Sequence, residues 1–385
     1  MRHKRDSKSI IYVNFSPYEN AGNILDYILD TFGTVLLFSF NFHKLGAEQS
    51  PSMLTIYKNG SIVHKNRLFQ SPNSPSLAFI LLPIRSIIIL FQIFYHTYRF
   101  RNKYGPFDIY FTVNAFIAWT GIVLKRLNLV KKTIFWIWDY YPPIHKNKII
   151  MLIRWTYWLF DGPASIYADR TVFLNNTMYL SRKKMGILPN NESAMVGIGT
   201  NPVHKLKTNT LPLKLVFIGV IKQSQGLDII FNSTDKLIKI FPHISLTIIG
   251  GGPDEKYYKK RAKETKLETH FSGYIKSPEK IRKLISGCHI GVAPYVPERG
   301  NVSYFGDPSK IKEYLSCGLP VVTTNVFNFS KEITKSGAGI VIPYQEKELL
   351  TAITTIMKNY SKYQTSSLRL ANKYYYKNLY KKLLN

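Results

Sequence analysis

The chain has 385 residues, which is enough for two domains that each bury a hydrophobic core. Hydrophobic residues make up 45% and charged residues only 19%, a balance that excludes an intrinsically disordered chain. The net charge of +29 is spread evenly, with 23 basic and 10 acidic side chains in residues 1–204 and 29 and 13 in residues 205–385, so we expect no nucleic-acid partner. Cys288 and Cys317 lack the ligand spacing of a zinc site and are typical of a reducing cytoplasm.

From residue 10 onward, short β-branched strands alternate with longer helical segments, which indicates an α/β fold. In the first half, the predicted strands cover residues 10–14, 34–40, 109–112, 133–138 and 171–174. The predicted helices cover residues 23–31, 77–101, 116–127 and 149–167. Each strand ends at polar or glycine residues, where a ligand can reach the carboxyl edge of a parallel sheet.

Residues 195–213 contain glycine and proline among polar residues without a periodic pattern, so we place a linker there. A second alternating series follows, with predicted strands at 215–219, 245–249, 270–272, 290–293 and 320–323 and predicted helices at 226–240, 254–265, 278–285 and 308–316. We therefore expect one domain at residues 1–198 and another at 205–360. Residues 361–385 are predicted to form a C-terminal helix that packs back on the first domain.

The strongest local motif covers residues 307–322, where a proline and a serine open a helix that ends before a buried Val-Val strand. The free backbone N–H groups at such a helix start, with Ser309 and Lys310 in the first turn, suit a diphosphate. Glu313 lies on the same helix face one turn later, where its carboxylate can accept hydrogen bonds from the two hydroxyls of a ribose. A solvated Lys–Glu pair on a surface helix is the alternative interpretation.

Two glycine-containing loops follow predicted strands of the second half. Gly250 and Gly251 come directly after an apolar strand, and glycine lets the backbone approach a ligand closely. The segment lacks the glycine spacing and the acidic residue of a nicotinamide-cofactor site. In the loop at residues 219–226, Lys222 either reaches a phosphate or is simply solvated.

Taken together, these motifs resemble those of the retaining glycosyltransferases of family four, in the subgroup with a Pro-Ser-Lys-x-x-Glu-Tyr motif. The matching blocks occur in the family's order, at residues 219–226, 249–253, 271–273, 291–294 and 308–322. The first half matches only in its layout. The resemblance implies two Rossmann-like domains facing a central cleft, with the nucleotide-sugar donor bound by the second domain and the acceptor by the first.

Carried over by position, the resemblance implies a role for several side chains of the second half. The residues expected around the donor are Glu313 at the ribose, Gly250, Gly251, Ser309 and Lys310 near the diphosphate, and Tyr274 and Ile275 beside the base. The chain departs from the family at Val220 and Gln225, which replace an Arg and a Lys, and at Phe305, which replaces a first Glu. Lys222, Arg299 and Lys310 are the cations available to replace them.

Transfer of a sugar requires stabilisation of the departing diphosphate. No Asp-x-Asp pair occurs, so we expect no metal and no other cofactor, and we assign the charge stabilisation to Lys310, Lys222 and the helix start. In the first half, Asp139 follows a predicted strand and can orient or deprotonate the acceptor hydroxyl, although an Asp before two prolines also starts turns. The other acceptor-side candidates are Asn20, Gly22 and Tyr140.

The predicted function is therefore metal-independent, retaining transfer of a hexose from a nucleoside-diphosphate sugar to a glycan or lipid-linked acceptor. A nucleotide-sugar 2-epimerase of the same fold is one alternative, although it needs acidic and His residues where this chain has Phe305 and Trp138. A degenerate, non-catalytic transferase subunit is the other alternative, favoured by Val220, Gln225 and Phe305.

The apolar segment at residues 77–95 is followed by Arg99, Arg101 and Lys103. This pattern fits either a helix that faces the domain core or a helix that attaches the protein peripherally to an anionic membrane. The short apolar run at residues 10–15 is too short for a signal peptide. We expect a cytoplasmic protein, with attachment to the inner face of the membrane as the further hypothesis.

Overall fold

The computed structural model describes residues 6–16, 19, 21–41, 51–69, 82–142, 147–187, 189, 192–202, 212–298 and 302–384. Asn20, Arg299 and residues 77–81 of the apolar segment lie outside these ranges. The chain forms two compact units, one made of Met1–Gly197 and Lys377–Asn385 and the other of Ile198–Tyr376.

The first unit is built on a mixed sheet. Its strands are β1 (Asp6–Ser16), β2 (Phe32–Asn41), β3 (Met53–Lys58), β4 (Ser61–Arg67), β5 (Phe107–Thr112), β6 (Val130–Ile137), β7 (Arg170–Phe173) and β8 (Glu192–Met195). Among the described residues they lie in the order β4-β3-β2-β1-β5-β6-β7-β8. The pairs from β2 through β1 to β8 are parallel, whereas β3 and β4 form an antiparallel extension.

Helices connect these strands and cover the sheet. They are α1 (Ile24–Thr31), α2 (Leu82–Tyr104), α3 (Ala115–Arg126), α4 (Lys148–Tyr167) and α5 (Asn176–Lys184). The direction of the chain through the sheet reverses between β1 and β5, so their carboxyl ends form a switch point of the kind where α/β proteins bind ligands. Within the described residues, the predicted strands and helices of this half all appear, with boundaries shifted by a few residues; the predicted start of the helix at residue 77 lies outside them.

The hairpin of β3 and β4 is not among the predicted elements. Its turn is Asn59-Gly60, and both residues have positive φ angles of 50° and 79°. An Asn-Gly pair between alternating segments is a strong hairpin signal, because this turn type needs two left-handed residues. The hairpin could therefore have been predicted from this local signal.

The second unit contains a fully parallel sheet. Its strands are β9 (Lys214–Ile218), β10 (Ser245–Ile249), β11 (Glu268–Gly273), β12 (Ile290–Ala293), β13 (Val321–Thr324) and β14 (Gly339–Ile342), in the order β11-β10-β9-β12-β13-β14. The helices are α6 (Asp228–Asn232), α7 (Thr234–Ile240), α8 (Glu255–Glu264), α9 (Pro278–Ser286), α10 (Ser309–Ser316), α11 (Ser330–Ser336), α12 (Glu346–Lys358) and α13 (Tyr360–Lys373). The switch point lies between β9 and β12.

The C-terminal segment departs from the expected single helix. Helix α13 packs in the second unit, where Leu370 and Ala371 join the core that contains Tyr314. Only the short helices α14 (Tyr376–Leu379) and α15 (Lys381–Leu384) contribute to the first unit, mainly through Tyr380, Leu383 and Leu384. The prediction that the C-terminal helix packs on the first domain is therefore wrong for α13. Periodicity shows which face of a helix is buried, but not which part of the protein covers it.

Candidate functional site

Three loops at the carboxyl edge of the second sheet are joined by backbone hydrogen bonds. The amide of Gly219, after β9, donates to the Ile249 carbonyl at 2.9 Å. The amide of Gly250 donates to the Gly273 carbonyl at 2.8 Å, and that of Ile221 to the Gly251 carbonyl at 3.0 Å. The ends of β9, β10 and β11 therefore form one continuous rim at the switch point.

The rim leaves no room for a side chain at Gly250. Its φ is 136°, and a Cβ atom there would lie 2.0 Å from the Gly219 carbonyl oxygen. The amide of Gly250 is already used within the rim. Glycine at this position therefore allows two loops to come into contact. This steric requirement explains the residue without any contact to a phosphate.

Helix α10 is anchored beneath this rim by Tyr314. The Tyr314 ring packs against Gly291, where a Cβ would lie 2.4 Å from ring carbons. Its hydroxyl accepts a hydrogen bond from the Ile218 amide at 2.6 Å and lies 3.4 Å from the Val292 carbonyl. These contacts fix the position of the helix start relative to the ends of β9 and β12.

Lys310, in the first turn of α10, reaches from the helix to the loop after β9. Its Nζ donates to Gln225 Oε1 at 2.5 Å, and a Cβ on Gly219 would lie 2.7 Å from this nitrogen. The same nitrogen lies 4.3 Å from the centre of the Phe217 ring and 4.7 Å from that of Tyr295. Burial among these groups, and then the charge of Lys222, lowers the pKa of Lys310 to about 7.

Gln225 is therefore part of the same cluster as Lys310, although it replaces a lysine expected from the family resemblance. Lys222 lies close enough to affect Lys310 electrostatically. Val220 and Ser309 are exposed at the rim. The cluster thus keeps two basic side chains, Lys222 and Lys310, near the neutral side chain of Gln225.

Glu313 forms an ion pair with a residue of another helix. Arg282 from α9 donates through Nε to Glu313 Oε1 at 2.8 Å, and the two side chains are 22% and 25% exposed. Arg282 is not among the predicted site residues, because it lies 31 positions earlier in a helix without a recognisable binding motif. The contact orients the carboxylate while part of it stays accessible, so the Glu313 position is compatible with a ligand.

Tyr274 and Ile275 follow directly after β11 on the same edge. The Tyr274 side chain is exposed, and that of Ile275 is partly buried against the core. Tyr274 thus offers an open aromatic surface at this edge, and the assignment of both residues to a nucleobase stays a prediction. Arg299 lies outside the described residues.

A buried ion pair holds the segment before α10. Lys312 Nζ donates to Asp307 Oδ2 at 2.5 Å and to the Ile198 carbonyl at 2.8 Å, and the Lys312 and Asp307 side chains are 1% and 6% exposed. Asp307 also accepts the Ile198 amide. Lys312 is thus a structural lysine, whereas Lys310, two residues earlier, points to the rim.

In the first unit, Asp139 follows β6 and stays open to solvent. The Tyr157 hydroxyl lies 3.3 Å from the Asp139 carbonyl oxygen and donates to Asp161 Oδ1 at 2.9 Å. Asp161 forms a fully buried ion pair with Arg182. Desolvation by the surrounding protein groups, opposed by a hydrogen bond from Tyr141 and strengthened by the charge of Asp161, raises the pKa of Asp139.

Glu19 is the residue of this edge that sequence reasoning missed. Its carboxylate accepts the Phe15 amide at 2.8 Å and the Asn114 amide group at 3.3 Å. Burial, with the charge of Asp139 as a further cause, raises the pKa of Glu19 to about 8. The signal was an acidic residue just after the first strand, and the structure brings it to the β1–β5 switch point near Asp139.

The other predicted acceptor-side residues differ in accessibility. Tyr140 is buried, with its hydroxyl 3.3 Å from Met185 Sδ and its ring packed edge-on against Trp158. It belongs to the core, because the chain turns inward after Asp139. The Gly22 carbonyl accepts the Tyr380 hydroxyl at 2.7 Å, and Asn20 lies outside the described residues.

Comparison with known proteins identifies a family for the second unit and similar folds for both units. Residues 212–359 match the family described as glycosyl transferases group 1. No curated protein sequence matches the chain.

Solved structures match the fold over nearly the whole length. Sucrose-phosphate synthase from Thermosynechococcus elongatus is 15% identical with a TM-score of 0.66, covering 97% of each chain. The Anabaena protein HepE, solved with UDP, is 14% identical with a TM-score of 0.61, covering 96% of this chain and 95% of its own. Trehalose 6-phosphate synthase from Burkholderia multivorans is 11% identical with a TM-score of 0.60, covering 96% of each chain.

The second unit therefore matches a glycosyltransferase family and carries a rim of loops and a helix start at the switch point of its sheet. The similarity in fold extends over both sheets. The prediction of an α/β protein with two Rossmann-like sheets is confirmed. The chain is a glycosyltransferase of the B-type fold that carries a group 1 domain at residues 212–359.

Proposed function

We propose that this glycosyltransferase moves a hexose from a nucleoside-diphosphate sugar to a glycan or lipid-linked acceptor, with retention of the anomeric configuration. The observation that carries the proposal is the cluster at the rim of the second sheet. There, Lys310, Gln225 and Lys222 lie beside the start of α10, and Glu313 follows one turn later. This arrangement matches the order of groups in a nucleoside diphosphate.

Lys310 and the start of α10 are the groups proposed to stabilise the departing diphosphate. Negative charge grows on the leaving oxygen as the sugar bond breaks, and a nearby ammonium group and helix N-terminus both favour it. Because Lys310 lies over two aromatic rings in a half-buried position, its charge is poorly screened by water. Without an Asp-x-Asp pair in the sequence, we propose that transfer proceeds without a metal.

Glu313, oriented by Arg282, is proposed to accept hydrogen bonds from the ribose hydroxyls. Tyr274 and Ile275 are proposed to border the base. UDP is the first nucleotide to test, because the similar HepE structure contains it. On the first unit, Asp139 with Glu19 nearby is proposed to orient the acceptor hydroxyl, since both follow strands at the carboxyl edge of that sheet and the charge of Asp139 acts on Glu19.

Titration calorimetry with UDP, GDP and ADP in the presence of a chelator tests the donor site. We expect one of the three to bind, and Glu313→Gln to weaken it by about 1.5–3 kcal/mol, or roughly 10- to 150-fold in Kd, the range for a hydrogen bond to a charged group. The same nucleotide without the 2′- and 3′-hydroxyls should bind the wild type and the variant equally. Glu264→Gln, an exposed change on α8, serves as the matched control.

Failure of all three nucleotides to bind would remove the donor-site assignment. If the nucleotide binds but Asp139→Asn transfers sugar at the full rate, the donor site stands and the acceptor-side role is wrong. Nuclear magnetic resonance of the anomeric proton in the first product formed distinguishes retention from inversion.

A further inference from the structure

The helices of the first unit expose many large apolar side chains. On α4, Ile149, Leu152 and Leu159 are about 70% exposed and Trp155 is 57% exposed. Ile150 and Ile153 on the same helix are also exposed. We refer to these six residues, Ile149, Ile150, Leu152, Ile153, Trp155 and Leu159, as the apolar face of α4. Such a concentration is uncommon on the surface of a soluble domain, where exposed apolar residues are usually scattered.

Most residues in the first half of α4 are exposed. Its second half is anchored by Trp158, whose indole donates to the Tyr141 carbonyl at 2.8 Å, and by the buried Asp161. By contrast, Ile149, Ile150, Leu152 and Ile153 form a wide exposed arc of the helix, whereas Arg154 on the remaining side is half-buried and donates to the Pro142 carbonyl. A wide apolar surface on a helix is normally covered by a protein core or by lipid.

Helices α2 and α4 belong to the same helical layer. Helix α3 packs against both of them, and its Trp119 indole donates to the Phe160 carbonyl of α4 at 2.9 Å. One side of α2 faces the core through Ile89, Ile93 and Phe100. Its other side exposes Ile87, Phe91 and Tyr98, each by more than 60%. The helix therefore has the core-facing side that one hypothesis predicts and an exposed apolar side that the membrane hypothesis requires.

The charge of this layer has one sign. Helices α2, α3 and α4 contain a single acidic residue, Asp161, which is buried against Arg182. Exposed basic residues lie on the same three helices, at Arg99, Arg101, Lys103, Arg126 and Lys148. A second copy of the chain would present the same positive charge, whereas an anionic lipid surface is complementary to it.

We propose that this helical layer docks the protein peripherally on an anionic lipid bilayer, with the apolar face of α4 inserted among the lipid headgroups. Exposed Trp155 fits this position, since indole prefers the membrane–water interface. Among the described residues, no helix is long and apolar enough to cross a membrane, so the contact is interfacial. The proposal concerns attachment and does not depend on the identity of donor or acceptor.

Co-sedimentation of the full chain with lipid vesicles tests the proposal. We expect binding to vesicles rich in phosphatidylglycerol, little binding to pure phosphatidylcholine, and release by salt. Leu152→Asp should lower the partition coefficient at least about tenfold, because a charge then replaces an inserted apolar side chain. The triple change of Arg99, Arg101 and Lys103 to Gln should also lower the partition coefficient, by up to about fivefold for each charge removed. Ile240→Asp, an equally simple change at an exposed site of the second unit, should have no effect.

Trp155 supplies a second readout that does not depend on affinity. Binding to vesicles should shift its fluorescence to shorter wavelength, and Trp155→Phe should remove most of that shift while the protein still sediments. Wild type that stays in the supernatant at low salt would overturn the proposal. It would also be overturned if Leu152→Asp bound as wild type does, or if the apolar face mediated dimerisation that lipid cannot compete with.

Discussion

At the scale of single residues, the unusual group is Lys310. Its ammonium is held by one neutral amide and two aromatic rings, and within the described residues no acidic side chain pairs with it. Burial is the main reason that its pKa falls to about 7, and Lys222 adds to the effect. In the absence of ligand, a substantial fraction of Lys310 is therefore neutral near neutral pH. A diphosphate favours the charged form, so its binding should be coupled to proton uptake.

This coupling predicts a pH dependence with a definite sign. At about pH 8.5, free Lys310 is mostly neutral, so UDP binding should take up close to one proton, and the affinity should fall as pH rises above about 7. Lys310→Arg keeps the charge at every pH of interest and should show neither effect. Calorimetry in buffers with different ionisation enthalpies measures the uptake. Wild type that binds without proton uptake at this pH would show that Lys310 does not contact the diphosphate.

At the scale of elements, the donor rim depends on close contact between loops. Gly250 and Gly273 both have positive φ angles, of 136° and 64°, but only Gly250 lacks space for a side chain. A Cβ at Gly250 meets a backbone oxygen, whereas one at Gly273 meets nothing within 4 Å. The two positions therefore separate backbone strain from steric conflict.

Gly273→Ala should cost about 1–2 kcal/mol in the free energy of unfolding, the cost of left-handed backbone in an L-residue. Gly250→Ala should cost clearly more, because the clash forces the loops after β9 and β10 apart and disturbs the Lys310 position. Denaturant unfolding of both variants, with UDP binding measured alongside, checks this expectation. Equal destabilisation by the two variants would mean that the rim yields easily and does not hold Lys310 in place.

At the scale of the whole molecule, the chain crosses into the second unit and then returns to complete the first. Tyr380 is fully buried in the first unit, with its ring 5.7 Å from that of Tyr27 and 5.5 Å from that of Trp136. Its hydroxyl donates to the Gly22 carbonyl at 2.7 Å. The last residues of the chain are thus part of the core that supports the loop after β1.

Tyr380→Ala should destabilise the first unit by about 3–5 kcal/mol, the usual cost of removing a buried aromatic side chain. Tyr380→Phe keeps the packing and should cost only about 0.5–1.5 kcal/mol for the lost hydrogen bond. Hydrogen exchange should show faster exchange at α1 and β6 in the Ala variant, with β9 and β10 unchanged. If exchange rises equally in both units, their stabilities are coupled and the effect cannot be assigned to the first unit.

The alternation of strands and helices and the glycosyltransferase motifs of the second half could be predicted from the sequence, because periodicity and turn residues are local properties. Tertiary structure alone decided the partners of the site residues. Arg282 reaches Glu313 across 31 positions, Gln225 reaches Lys310 across 85, and Asn114 reaches Glu19 across 95. Parallel strands bring their carboxyl ends to one edge from distant parts of the chain, so a local pattern places each residue at that edge but not beside its partner. For the same reason, Lys310 and Lys312 look alike in sequence, yet one points to the rim and the other is a buried structural cation.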